Sequence, residues 1–166
     1  MKRVAFFTAA AICTSSFSQQ LFGSWFGSIS NDGSAAVIGT LNDSGNTLTL
    51  ACLRGADCYW QILTSTPCEA GSTAPIIGNS DKGSQFFNVR CENGIPAGST
   101  YKFVFQNNND FWSFLPYEGN VGFAMPMKSG EFKVMRFNIN GVQKAVAWAS
   151  EASQKLGKKK SYDQTL

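Results

Sequence analysis

The stretch TLTLACLRGADCYWQIL, residues 47–63, decides the fold. Leu48, Leu50 and Cys52 alternate with Thr47, Thr49 and Ala51, and beyond a polar interruption Cys58, Trp60 and Ile62 alternate with Tyr59, Gln61 and Leu63. A period of two is the signature of an extended chain with one face in a core. The five residues between the runs, LRGAD (53–57), contain a glycine and two charged residues and suit a hairpin loop whose ends face one another.

Outward from this hairpin the pattern repeats. Phe87, Val89 and Cys91 alternate with Phe86, Asn88 and Arg90, and Tyr101, Phe103 and Phe105 alternate with Lys102, Val104 and Gln106. Val121, Phe123 and Met125 form a further strand, stopped by Pro126. Less regular strands are predicted at Trp25–Ser30 and Ala35–Thr40, with turns at NDG (31–33) and NDSGN (42–46). The last strand, Phe132–Ile139, changes phase: Phe132 and Val134 share one face, while Met135, Phe137 and Ile139 share the other. A β-bulge near Val134 and Met135 would return all of them to the core side. From Gly141 to Lys155 the period becomes helical, with Val142, Ala145, Val146 and Ala149 on one stripe and Trp148 at its edge. Asn140 is placed to cap this helix, with Gln143 three positions on, and Gly157 to end it. The predicted fold is mainly β, an antiparallel β-sandwich or barrel with one C-terminal α-helix.

The first residues have a different character. Lys2 and Arg3 precede an apolar run, Val4–Ile12, and a small, polar segment, Thr14–Ser18. That order predicts a signal peptide over residues 1–18, cut after Ser18. The apolar run is far shorter than the roughly 20 residues of a transmembrane helix, and no other stretch approaches that length, so no membrane span is expected. Cys13 reads as a bystander, because Ile12 stands where a lipoprotein needs a small residue. The expected organisation is a single β-rich domain over 19–156 and a flexible basic tail over 157–166, in a protein that works in the periplasm or is secreted.

Four cysteines follow the signal peptide: Cys52, Cys58, Cys68 and Cys91. In an exported chain an even number reads as disulfides. Zinc is disfavoured, since there is no histidine and no Cys-x-x-Cys pair. The preferred pairing is Cys52 with Cys58 and Cys68 with Cys91. A bridge from Cys52 to Cys91 is an alternative, because both lie in phase with the apolar faces of their strands.

Charge and composition narrow the function. The chain has 14 basic and 11 acidic residues; without Lys2 and Arg3 the count is 12 against 11, and without the run Lys158, Lys159 and Lys160 it is 9 against 11. A nucleic-acid-binding surface has the opposite balance. The lysine run reads as a solvated tail, with weak membrane contact as its alternative. The absence of histidine removes Ser-His-Asp triads, Cys-His pairs and histidine-ligated metals, and no phosphate-binding or dinucleotide motif is present. No cofactor, no metal and no catalytic residues are expected. A glycosidase needs only two carboxylates, and Asp110 and Glu118 flank an aromatic segment, so that reading stays open as a minor one.

That segment, QNNNDFWSFLPYEGN (106–120), carries the candidate binding residues Phe111, Trp112, Phe114 and Tyr117. Exposed aromatics are what recognition of a protein or an envelope glycan uses. Alternatively, Asp110 caps one helical turn that lays Phe111, Phe114 and Leu115 on the core, leaving Trp112 and Tyr117 as the residues that point outward.

The stretch GNVGFAMPMKSGEFKVMRFNINGVQKAV (119–146) resembles the end of small exported proteobacterial proteins of the invasion-associated locus B type. There a strand, a turn, a second strand and a short Ala-rich helix close a β-rich domain. The resemblance implies a periplasmic or envelope-associated accessory protein and carries no catalytic residues with it. Non-catalytic binding of a virulence or host-interaction type is therefore expected, with inhibition of an envelope-degrading enzyme such as a lysozyme as the alternative.

Overall fold

A computed structural model describes residues 19–55, 57–92, 100–127 and 129–157. The expected signal peptide, 1–18, and the lysine run at 158–160 lie outside the described residues. Ten strands and two helices follow in the order β1 (Gln20–Phe22), β2 (Trp25–Ile29), β3 (Ala35–Leu41), β4 (Thr47–Leu53), β5 (Cys58–Thr64), β6 (Thr73–Ser80), β7 (Gly83–Glu92), β8 (Tyr101–Phe105), α1 (Asn108–Phe114), β9 (Asn120–Pro126), β10 (Phe132–Asn138) and α2 (Val142–Gly157).

The strands form one antiparallel sheet in the order β1-β2-β3-β4-β5-β8-β7-β6-β9-β10. The hairpin read from residues 47–63 is β4–β5, with Leu48 opposite Ile62 and Cys52 opposite Cys58. Alternation assigns the faces. Thr40, Leu48, Ile62, Phe103 and Cys91 stand in one cross-strand row, and all are buried. The sheet curls so that this face encloses a single core, with β10 returning to the first strands: the Thr40 hydroxyl donates to the Asn138 carbonyl at 3.1 Å. α2 packs on β1 to β4 through Val142, Ala145 and Ala149. Trp148 covers Gly27, where a Cβ would lie 2.8 Å from the indole.

Two connections skip strands. β5 leads to β6 through residues 65–72, and β8 leads to β9 through 106–119. Each must bridge three strand spacings, roughly 14 Å. They lie at opposite ends of the curled sheet. The second contains α1, whose Phe111 and Phe114 plug their end of the core. Gly78 of β6 makes room for this plug, since a Cβ there would lie 2.6 Å from Phe87 and 2.9 Å from Phe114. The first connection is extended and is tied down by the Cys68–Cys91 disulfide, with the Cα atoms 6.1 Å apart. The other disulfide joins Cys52 to Cys58 across the β4–β5 pair, with Cα atoms 3.9 Å apart. The preferred pairing holds, and the Cys52–Cys91 alternative falls.

Other expectations need correction. β10 has no bulge: its register with β9 runs unbroken from Phe132 opposite Pro126 to Asn138 opposite Asn120. The phase change is resolved by leaving Phe132 and Val134 outside, 60% and 53% exposed, while Met135 and Phe137 are buried. Val134 ends an outward row with Ala124, Ile77 and Phe86, which shields part of its apolar surface without a backbone defect. Asn140 does not cap α2, because its Oδ1 accepts the Gly119 N–H at 2.8 Å. Gly141, at φ 93°, makes the turn into the helix instead. Strands β1 and β6 escaped the sequence reading. β1 has only three residues, and in β6 Pro75 and Gly78 blur the alternation.

Candidate functional site

The QNNNDFWSFLPYEGN segment begins with three asparagines of distinct roles. Asn107 caps α1, its Oδ1 accepting the N–H groups of Asn109 and Asp110 at 3.1 and 3.4 Å. Asp110, the cap expected from the sequence, lies instead in the first turn and accepts from the Asn107 amide at 2.7 Å. Asn108 fastens the helix to β5, donating to the Cys58 carbonyl at 2.8 Å and accepting from the Trp60 N–H at 3.2 Å. At the other end Lys82, from the β6–β7 turn, donates to the carbonyls of Ser113 and Leu115 at 3.1 and 2.8 Å. A positive charge there satisfies otherwise unpartnered carbonyls and complements the helix dipole.

Helical geometry then divides the aromatics. Phe111 and Phe114 are buried. Phe111 stacks on Trp60 at 4.7 Å and on Phe123 at 5.9 Å between ring centroids. Trp112 lies edge-on to Trp60 at 5.1 Å and remains 38% exposed. Tyr117 is 72% exposed, with the Lys82 ammonium 5.6 Å from its ring centroid. Of the four candidate residues, two belong to the core and two face solvent. Tyr117 and Glu118 border a cavity of about 420 Å³ that also exposes Phe22, Asn140, Gln143 and Lys144. Asp110 does not line that cavity, so the pair considered for glycoside cleavage does not share it.

The helix α1 is thus pinned at both ends and on its inner face, which fixes Trp112 without occupying it, while Tyr117 follows the helix beside Lys82. The cavity adds hydrogen-bonding groups of both kinds, an aromatic ring and charges of both signs. Sequence reasoning found the aromatics. It missed Asn140, Gln143 and Lys144, because only the return of the chain past Gly141 brings them beside Tyr117. Among the described residues no cluster of three or more Cys, Asp or Glu is placed to hold a metal ion, and no helix is long and apolar enough to cross a membrane.

No protein-family profile matches the chain, and no curated protein matches it by sequence. Its fold, however, is similar to that of invasion associated protein B from Bartonella henselae. The crystal structure of that protein aligns over 80% of this chain and 96% of its own, with a TM-score of 0.53 and 13% identity. The likeness read from residues 119–146 therefore extends across the fold.

Proposed function

We propose that this is an exported accessory protein of the bacterial envelope that acts by binding a protein or an envelope glycan and not by catalysis. One observation carries the reading: Trp112 faces solvent from a helix pinned at both ends, Tyr117 faces solvent from the connection just after it, and Tyr117 borders a cavity lined by Glu118, Asn140, Gln143 and Lys144. Pre-set aromatics lose little entropy when a partner covers them, and a ring beside amide, carboxylate and ammonium groups suits a sugar or a polar protein surface. Two disulfides suit an oxidising compartment. The neighbour in fold is described as invasion associated, and a host-interaction role is proposed here by analogy with it.

Two measurements test the proposal. The intact mass of periplasmic material is expected to match residues 19–166 less four hydrogens, and full-length protein with titratable thiols would overturn the export reading. Binding to isolated envelope glycan and to envelope proteins is expected to be lost in the Trp112→Ala/Tyr117→Ala double variant. A folded double variant that binds as the parent does would place recognition elsewhere.

A further inference from the structure

The regular register of β10 has a second outcome. With Phe132 and Val134 outside, Lys133 points inward, opposite the buried Met125. Its ammonium donates to the hydroxyls of Thr64 and Thr66 at 2.9 and 2.8 Å, and among the described residues it makes no salt bridge. An ammonium has three N–H donors, and two are accounted for. Burial lowers the Lys133 pKa from 10.5, as expected of a cation that has lost water without gaining a counter-charge.

Thr66 is also a wall of a cavity of about 570 Å³. This cavity opens at the end of the sheet opposite α1, where the extended 65–72 connection provides no plug. Ala74, Phe103, Met125, Pro126 and Met127 are among its lining residues, and methionines adapt to chains of varied shape. Its volume falls within the ~300–1,000 Å³ of small-molecule sites. Glu69 lines the cavity too but is solvent-exposed, so water screens it, whereas Lys133 is half-buried.

We propose that this cavity binds a single-chain amphiphile with an anionic head, its hydrocarbon tail along Phe103, Met125 and Met127 and its head against Thr66 and Lys133. Among the described residues the half-buried Lys133 ammonium stands one hydrogen bond behind the Thr66 wall of this mostly apolar cavity, which matches that ligand and penalises a cationic one.

The test is calorimetric titration of the purified disulfide-bonded protein with dodecanoate, dodecan-1-ol and acetate, below the micellar range. Dodecanoate is expected to bind one to one and more tightly than dodecan-1-ol, with no detectable binding of acetate. Lys133→Met is expected to weaken dodecanoate about tenfold or more, as loss of a charge-assisted hydrogen bond does, and to leave dodecan-1-ol unchanged. No binding of dodecanoate to the parent protein, or equal binding by the variant, overturns the proposal. Should Lys133→Met fail to fold, the methionine methyl resonances of the parent decide: dodecanoate shifting Met125 and Met127 but not the core residue Met135 supports the site, and any other pattern rejects it.

Discussion

At residue 111 a phenylalanine touches Trp60, Phe87, Phe105, Phe114 and Phe123, while its neighbour Trp112 is partly in water. Phe111→Ala should therefore cost roughly 3 to 5 kcal/mol, as buried aromatic truncations do. The Trp112→Ala/Tyr117→Ala double variant should move the urea midpoint far less, and equivalent losses would show that Trp112 is a core residue. Asp32 offers a second check at this scale. Its carboxylate accepts from the Ser30 and Ser34 hydroxyls at 2.7 Å each and from the Ser34 N–H at 3.0 Å, which lowers its pKa to about 2. Because the folded value is depressed, its contribution is complete above pH 3.8 and disappears as pH falls through about 2; carboxyl NMR titration of the 30–34 turn should show that midpoint. Lys133 has the same sign at the alkaline end. The fold disfavours its charged form, so stability should rise with pH in the window just below 10.5, and this rise should be flatter in Lys133→Met. The outward turn of Trp112 was legible from the three- and four-residue spacing of Phe111, Phe114 and Leu115. The role of Lys133 was not, because reading Phe132 and Val134 as core residues sends the lysine outside.

Among the elements, β10 shows where periodicity misleads. Alternation identifies a strand but not how many apolar residues its outer face tolerates, and here neighbours on β9, β6 and β7 make a partly shielded row for Val134. Val134→Lys should consequently stay within about 0.5 kcal/mol of the parent in stability, as exposed substitutions do. A bulged strand with Val134 in the core would lose several times that in the same denaturation experiment. The disulfides separate at this scale as well. Cys52 and Cys58 close a separation of 6 residues and Cys68 and Cys91 one of 23, so chain entropy assigns about 2 and about 3 kcal/mol respectively. Cys91→Ser should then lower the melting temperature more than Cys58→Ser, the more so because Cys68–Cys91 anchors the 65–72 connection over its end of the core. This hairpin disulfide was readable from the TLTLACLRGADCYWQIL stretch, since pairing in register brings its two cysteines together. The longer bridge depended on β6 and the connection before it, where proline and glycine hide the pattern.

For the molecule as a whole, local pairs were legible and their arrangement was not. Hairpins announce themselves by turns and alternation. The two strand-skipping connections carry no such mark, and they decide both the strand order and which end of the core is plugged. The ends of the sheet are joined by a detail smaller than either connection. Gly23, between β1 and β2, and Gly141, before α2, have positive φ angles and lie against one another. A Cβ on Gly23 would sit 2.5 Å from the Asn140 carbonyl oxygen, and the Ser24 N–H donates to that same oxygen at 3.0 Å. This junction joins parts of the chain that are far apart in sequence. The opening hairpin has this partner some 118 positions later in the chain, so on the export proposed above its strands could pair with one another and with β3 but would lack this closing contact until the start of the final helix follows. Contacts this distant in sequence make folding slow. For an exported chain, as proposed above, the same delay would leave Cys68 and Cys91 open to an oxidant before the sheet has closed around them.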